Sequence, residues 1–174
     1  MQIQDAISLI KTEGFFEDTK TKWADLGCGS GLFTRALASL LYPGSLIYAV
    51  DKNVEPLKIP DSANSVNVEI RKSDFTSDSF HLKDLEGILM ANALHFVFEK
   101  KTFLNTTRAW FREKPVFLIV EYDTDNPNPW VPYPLSFPTL KNLFTELGYS
   151  QIKKLHQTKS LYNKANLYSV MISQ

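Results

Sequence analysis

A short apolar run, Lys22-Trp-Ala-Asp-Leu26, leads straight into Gly27-Cys-Gly-Ser-Gly31, and an amphipathic stretch follows at once. Phe33, Ala36, Leu37, Leu40 and Leu41 recur at helical spacing, and Pro43-Gly44 stops them. The segment therefore reads as strand, glycine turn and helix. Glycine lets a backbone turn sharply and approach a ligand closely, because no Cβ intervenes. The helix that follows presents unpaired amide groups at its N-terminus. Few folds place these three pieces in this order, and open α/β sheets are the chief ones.

The rest of the chain keeps the alternation. Residues 3–12 predict a short amphipathic helix through Ile3, Ala6, Ile7 and Ile10, ended by Gly14. Ser45 to Val50 is a continuous apolar run, as in a strand covered on both faces, with Asp51 at its end. Further strands are expected at about 66–71, ending near Asp74, at 86–92, and from Val116 to Tyr122. A helix is expected from Lys100 to Arg112. Strands alternating with helices argue for a parallel sheet with helices on both faces and right-handed crossovers. Toward the C-terminus, a helix through Phe137, Leu140, Leu143, Phe144 and Leu147 ends at Gly148. Two strands follow, Tyr149 to Gln157 and Ala165 to Ile172, joined around Tyr162-Asn163-Lys164. So short a connection makes them antiparallel. One stretch, 124–135, breaks the pattern with Pro127, Pro129, Pro132 and Pro134, which deny it both helix and inner strand.

The 174 residues suit one domain, spanning 1–174 with a helical segment at 1–20. Nineteen basic residues balance nineteen acidic ones. The chain thus lacks the positive field that draws nucleic acid or anionic membrane, and no dense Lys/Arg run replaces it. Its longest strand-like apolar run, Val116 to Val120, falls far short of the roughly 20 residues needed to cross a bilayer. Cys28 is the sole cysteine, so no internal disulfide forms, which suits a reducing compartment. The N-terminus shows no basic region followed by an apolar one. These features lead us to expect a cytoplasmic protein.

The chemistry of the loop follows from what surrounds it. Asp51 lies twenty residues beyond Gly31, where a carboxylate can accept both hydroxyls of a ribose. The dinucleotide fingerprint G-x-G-x-x-G is not matched, because the third glycine comes one residue early and Leu32 stands in its place. Asp25, just before the loop, is poorly placed beside a pyrophosphate but suits a ligand carrying an ammonium group. Asp25-Leu-Gly-Cys-Gly-Ser-Gly31 resembles motif I of the class I S-adenosylmethionine-dependent methyltransferases. Tyr48-Ala-Val-Asp51 resembles their acidic motif after the second strand, and Lys72-Ser-Asp74-Phe75 the adenine-contacting motif after the third. Ile88-Leu-Met-Ala-Asn-Ala-Leu-His95 resembles the segment after the fourth strand, bordering the substrate pocket. The likeness runs from about residue 20 to the end.

The resemblance implies a Rossmann-like, doubly wound seven-stranded sheet, mostly parallel with an antiparallel C-terminal strand. It implies S-adenosyl-L-methionine as cofactor and methyl transfer to an acceptor, with a small molecule expected in a chain with little room for a substrate domain. Gly27, Gly29 and Gly31 would shape the loop around the methionyl end, with Asp25 near its amino group and Cys28 a small loop residue. Asp51 would take the ribose hydroxyls, with Lys52 beside it. Asp74 would accept from the adenine amino group, Phe75 would lie against the ring, and Asn92 would sit near the methyl group. His95, Glu121, Tyr122 and Asp123, at or beyond the ends of strands four and five, are the candidates for an acceptor-side base. The proline-rich segment, with Trp130 and Tyr133, is a candidate lid. Asn128-Pro129-Trp130 falls after strand five, so it does not match the Asn-Pro-Pro-Tyr-type motif of enzymes that methylate nucleic-acid amino groups. Two other readings stay open: a cofactor-binding protein without catalysis, and a nicotinamide-dependent oxidoreductase.

Overall fold

In a computed structural model of the chain, every residue is described except 13, 14, 17, 55–64, 78 and 160–164. The described strands are β1 (Lys22–Leu26), β2 (Leu46–Asp51), β3 (Asn67–Lys72), β4 (Leu85–Ala91), β5 (Phe111–Tyr122), β6 (Gln151–Lys159) and β7 (Asn166–Ser173). They form one seven-stranded sheet in the order β3-β2-β1-β4-β5-β7-β6. The first five pair in parallel. β7 runs antiparallel between β5 and β6. After β1 the chain builds outward on one side, and after β3 it returns to the other side with β4. The switch point therefore lies between the carboxyl ends of β1 and β4, where open α/β sheets bind their ligands.

Side chains alternate across the sheet, as the pleat requires. Trp23, Leu89, Leu118 and Val120 face one side. There they meet α1 (Ile3–Ile10) and α2 (Leu32–Leu40) through Ala6, Leu9, Ile10, Phe33 and Leu37. Ala24, Ile88, Met90, Phe117 and Ile119 face the other side. They pack on α3 (Lys100–Thr107) and α4 (Phe137–Glu146) through Leu104, Leu140 and Phe144. α4 has clear boundary signals. Ser136 accepts from the Thr139 N–H at its start. At its end Gly148, at φ +85°, lets the Tyr149 N–H reach the Phe144 carbonyl at 3.0 Å.

Several boundaries differ from the sequence expectation. The helix expected over 100–112 stops at Thr107 and passes through a 3-10 turn, Arg108–Trp110. Thr106 and Thr107 bond back to carbonyls at Thr102 and Leu104, a habit that weakens helix interiors. β5 therefore starts at Phe111, five residues before the expected Val116, and Phe111 pairs with Leu85. β2 is not buried on both faces: Tyr48 is half-buried, with the Arg71 guanidinium 4.0 Å above its ring. The turn expected at Tyr162-Asn163-Lys164 and the helix stop at Gly14 lie outside the described residues. Among the described residues, no helix is long and apolar enough to cross a membrane.

Candidate active site at the β1–β4 switch point

The glycine loop is fixed from beneath by β2. The Gly27 and Cys28 amides both donate to the Val50 carbonyl, at 2.8 and 3.1 Å. The Gly31 amide closes the turn on the Cys28 carbonyl at 2.9 Å, and Gly31 caps α2. Gly27 has φ +77° and Gly29 φ +51°, a region that disfavours a side chain. A Cβ on Gly27 would lie 2.7 Å from the Ala93 Cβ, so loop and β4 turn are packed together there. A Cβ on Gly29 would meet no atom within 4 Å. The loop is thus tight on its protein side and open on its outer side.

Three acids surround this opening, and they are not equivalent. Asp51 accepts from the Gly29 amide at 2.8 Å and from the Asn53 amide at 2.9 Å, so it braces the loop from the end of β2. Asp25 is fully buried at 0% exposure. Thr34 donates its hydroxyl to one carboxylate oxygen at 2.6 Å, while the other has no partner among the described residues. Burial, only partly offset by the Thr34 bond and added to by the charge of Asp51, pushes Asp25 up to about 7. Asp74 bonds the Thr76 amide and hydroxyl and pairs with Lys52 at 2.9 Å. Burial alone would raise its pKa, but the Thr76 and Lys52 bonds outweigh it and hold it below the usual value. Cys28 is an inert thiol, pushed up to about 12 by burial and by the nearby Asp25 and Asp51.

Across the switch point, β4 ends in Asn92, a non-glycine residue at φ +53°. Its amide donates to the Val120 carbonyl at 2.8 Å. Its side-chain oxygen is buried and has no partner among the described residues. A left-handed residue carrying an unmet buried acceptor is costly unless something else uses it. Phe75 lies deeper than its neighbours: its ring is buried, 5.8 Å from that of Phe103.

Beyond Asn92 a 3-10 turn, Leu94–Phe96, points His95 inward. His95 and Glu121 are both buried. Glu121 receives the His95 backbone amide at 3.1 Å and the ring Nδ1 at 2.7 Å. Nε2 is then the ring nitrogen left for other work. Tyr122 lies beside this pair, its ring 6.2 Å from the imidazole. Asp123 is drawn away: it accepts from the Phe137 amide at 2.8 Å, at the start of α4, and meets Lys154 at 3.5 Å. Asp125 binds Ser136 through both oxygens, at 2.8 and 2.7 Å, so the proline-rich segment is tied to α4. Its other anchor is the Tyr133 amide, which donates to the His95 carbonyl at 3.0 Å.

Two participants escaped the sequence reading. Thr34 is a polar residue on the buried face of α2, a pattern that signals an inward partner. Lys100 places its ammonium on the Val97 carbonyl at 2.8 Å and over the Tyr133 ring at 5.4 Å. Burial lowers its pKa to about 8, partly countered by the charge of Glu121.

A family model described as a methyltransferase domain matches residues 24–114, just over half of the chain. The chain belongs to this methyltransferase family. Its cofactor is S-adenosylmethionine, and the membership removes the nicotinamide reading. Solved structures with the same fold include a Burkholderia thailandensis 1,6-didemethyltoxoflavin-N1-methyltransferase with bound S-adenosylhomocysteine. It is 16% identical, with a TM-score of 0.71, over 99% of this chain and 77% of that one. A Synechocystis magnesium protoporphyrin IX methyltransferase, also with S-adenosylhomocysteine, is 10% identical, with a TM-score of 0.67, over 99% and 81%. An S-adenosylmethionine-dependent methyltransferase from Aquifex aeolicus is 17% identical, with a TM-score of 0.62, over 99% and 98%. At such identities the likeness is one of fold. No curated protein matches the chain in sequence.

Proposed function

We propose that this chain transfers a methyl group from S-adenosylmethionine to a small-molecule acceptor bound beside His95, at the ends of β4 and β5. The observation that carries the reading is the buried oxygen of Asn92, without a partner among the described residues, at the end of the strand that neighbours β1 and its glycine loop. The chemistry of the other groups fits the cofactor. Asp51 has carboxylate lone pairs beyond the two amides it already accepts, and these suit ribose hydroxyls. Asp25, raised to about 7 and with one oxygen unmet, loses its proton as an ammonium and a sulfonium settle nearby, and then supplies negative potential to them. Asp74 and Lys52 border the adenine, and the outer side of Gly27, Cys28, Gly29 and Gly31 receives the methionyl end. The bound cofactor supplies a methyl group already activated on a cationic sulfur, so alignment provides much of the catalysis.

The chain's own residues then have divided tasks. Glu121 holds the imidazole by Nδ1 and fixes Nε2 as the proton acceptor for an O–H or N–H acceptor. Tyr122 lines the same place, and Asp123 serves to seat α4. The proline-rich segment, pinned at Asp125 and at Tyr133, covers the acceptor. A small acceptor agrees with the neighbours, whose names specify 1,6-didemethyltoxoflavin and magnesium protoporphyrin IX. The test is a calorimetric titration with S-adenosylhomocysteine, followed by a methyl-transfer screen over small molecules, protein and RNA. Micromolar binding that Asp51→Ala weakens strongly, with turnover of a small molecule, is the expected result. No heat, or turnover of a macromolecule alone, overturns the reading.

A further inference from the structure

Six large hydrophobic side chains stand exposed among the described residues, and three of them, Phe96, Phe98 and Tyr133, gather at the His95 turn. They are exposed by 54%, 70% and 41%, and Trp130, on the same proline-rich segment as Tyr133, by 83%. All four are aromatic. The Phe96 ring lies 4.3 Å from the imidazole, and the Phe98 ring 5.0 Å from that of Tyr133. Tyr133 is held in advance: its amide is bonded to the His95 carbonyl, and the Lys100 ammonium lies against its ring. Trp130 stands on a turn closed by Asn128, whose side chain accepts the Trp130 amide at 2.9 Å. Phe96 and Phe98 also border, with Phe75 and Phe103, a cleft that neither His95 nor Tyr133 lines.

Exposed aromatic rings are costly to keep in water, and scattered single ones need no explanation. A cluster of three beside an imidazole whose Nδ1 is taken by Glu121 is a binding feature. Rings recognise rings by stacking, which a saturated skeleton of equal size cannot match.

From this geometry we infer that the methyl acceptor is a planar aromatic compound of one or two fused rings carrying an ionisable O–H or N–H. Its ring lies on Phe96, Phe98 and Tyr133, with the O–H or N–H directed at His95 Nε2. This rests on the methyltransferase reading of the site, and it adds the class of acceptor. Nε2 takes the proton as the acceptor's lone pair forms the new bond to the methyl carbon. The carbon–sulfur pair returns to sulfur, so charge and atoms balance without another reactant.

The test uses the full chain saturated with S-adenosylhomocysteine and two probes of the same skeleton, 1-naphthol and decahydro-1-naphthol, measured by ligand-observed NMR titration. The aromatic probe should bind at least about fivefold more tightly, the lower end of what ring stacking contributes. Phe98→Ala and Tyr133→Ala should each remove about that factor for 1-naphthol while leaving the affinity for S-adenosylhomocysteine and the melting temperature unchanged. Equal affinity for both probes, or indifference to both substitutions, overturns the inference while the cofactor reading stands. Self-association that protects Trp130 from a fluorescence quencher would assign the aromatic cluster to a second copy of the chain, and also overturns it. Failure of the wild type to bind S-adenosylhomocysteine would instead bring down the reading beneath it.

Discussion

Alanine at Gly27 and alanine at Gly29 should fail in different ways, although the two glycines sit two residues apart in one loop. Both have positive φ, and a side chain there costs about 1–2 kcal/mol. At Gly27 a second penalty adds to this. The new Cβ would stand 2.7 Å from the Ala93 Cβ, well inside the roughly 3.5–4.0 Å of an ordinary carbon contact. Ala93 is attached to the β4 turn and cannot swing aside, so backbone must move, at about 1–3 kcal/mol. Together these come to about 2–5 kcal/mol, a large part of a total stability of about 5–15 kcal/mol. At Gly29 the added methyl meets nothing within 4 Å, so stability falls only by the backbone term of about 1–2 kcal/mol. That methyl does, however, occupy the space assigned to the methionyl end of the cofactor. Overpacking of about 1–3 kcal/mol there weakens S-adenosylhomocysteine by about fivefold or more. Urea unfolding midpoints and calorimetric titrations of both variants separate the two effects. A Gly27→Ala protein as stable as wild type would refute the packing argument. A folded Gly29→Ala protein that keeps its affinity within twofold would show that the ligand lies elsewhere.

Two further predictions concern buried acids. Asp25 titrates near 3.8 unfolded and near 7 folded, so between these values the folded chain binds a proton that the unfolded chain lacks. Stability should therefore fall as pH rises across that window, by a few kcal/mol at most, and Asp25→Asn should flatten the slope; parallel unfolding curves for the two proteins would contradict this. Glu121→Gln places an amide donor against His95 Nδ1 and forces the ring proton onto Nε2, where it can no longer accept one. Turnover should drop by about 10²–10⁴ with S-adenosylhomocysteine affinity unchanged, and a kcat within about twofold of wild type would remove His95 from the proton path.

How far the chain could be read without coordinates differs from element to element. The parallel core was legible because β1, β4 and the Val116–Val120 part of β5 are largely apolar runs, and the glycine loop lies between a strand and a helix. The antiparallel pair followed from a connection too short for a crossover. The end of α3 was not legible. Phe103, Leu104, Thr107 and Phe111 keep helical spacing past the point where Thr106 and Thr107 turn their hydroxyls back on the helix.

Within the site, the division has a plain physical reason. Backbone demands leave local marks: positive φ selects glycine at 27, 29 and 31, and the acid at 51 falls at a fixed distance from them. The sequence by itself therefore determined the sheet, the loop and the kind of cofactor it suits. Side-chain partnerships leave no such mark, because the groups that meet are distant in the chain. Thr34 takes one oxygen of Asp25, and Lys52 takes Asp74. Glu121 reaches back 26 residues to His95, while Asp123, two residues on, turns away to seat α4. Only the tertiary structure separated those two acids. It also gathered Phe96, Phe98 and Tyr133 at a single imidazole, because β4 and β5 are neighbours whose ends the sheet places side by side.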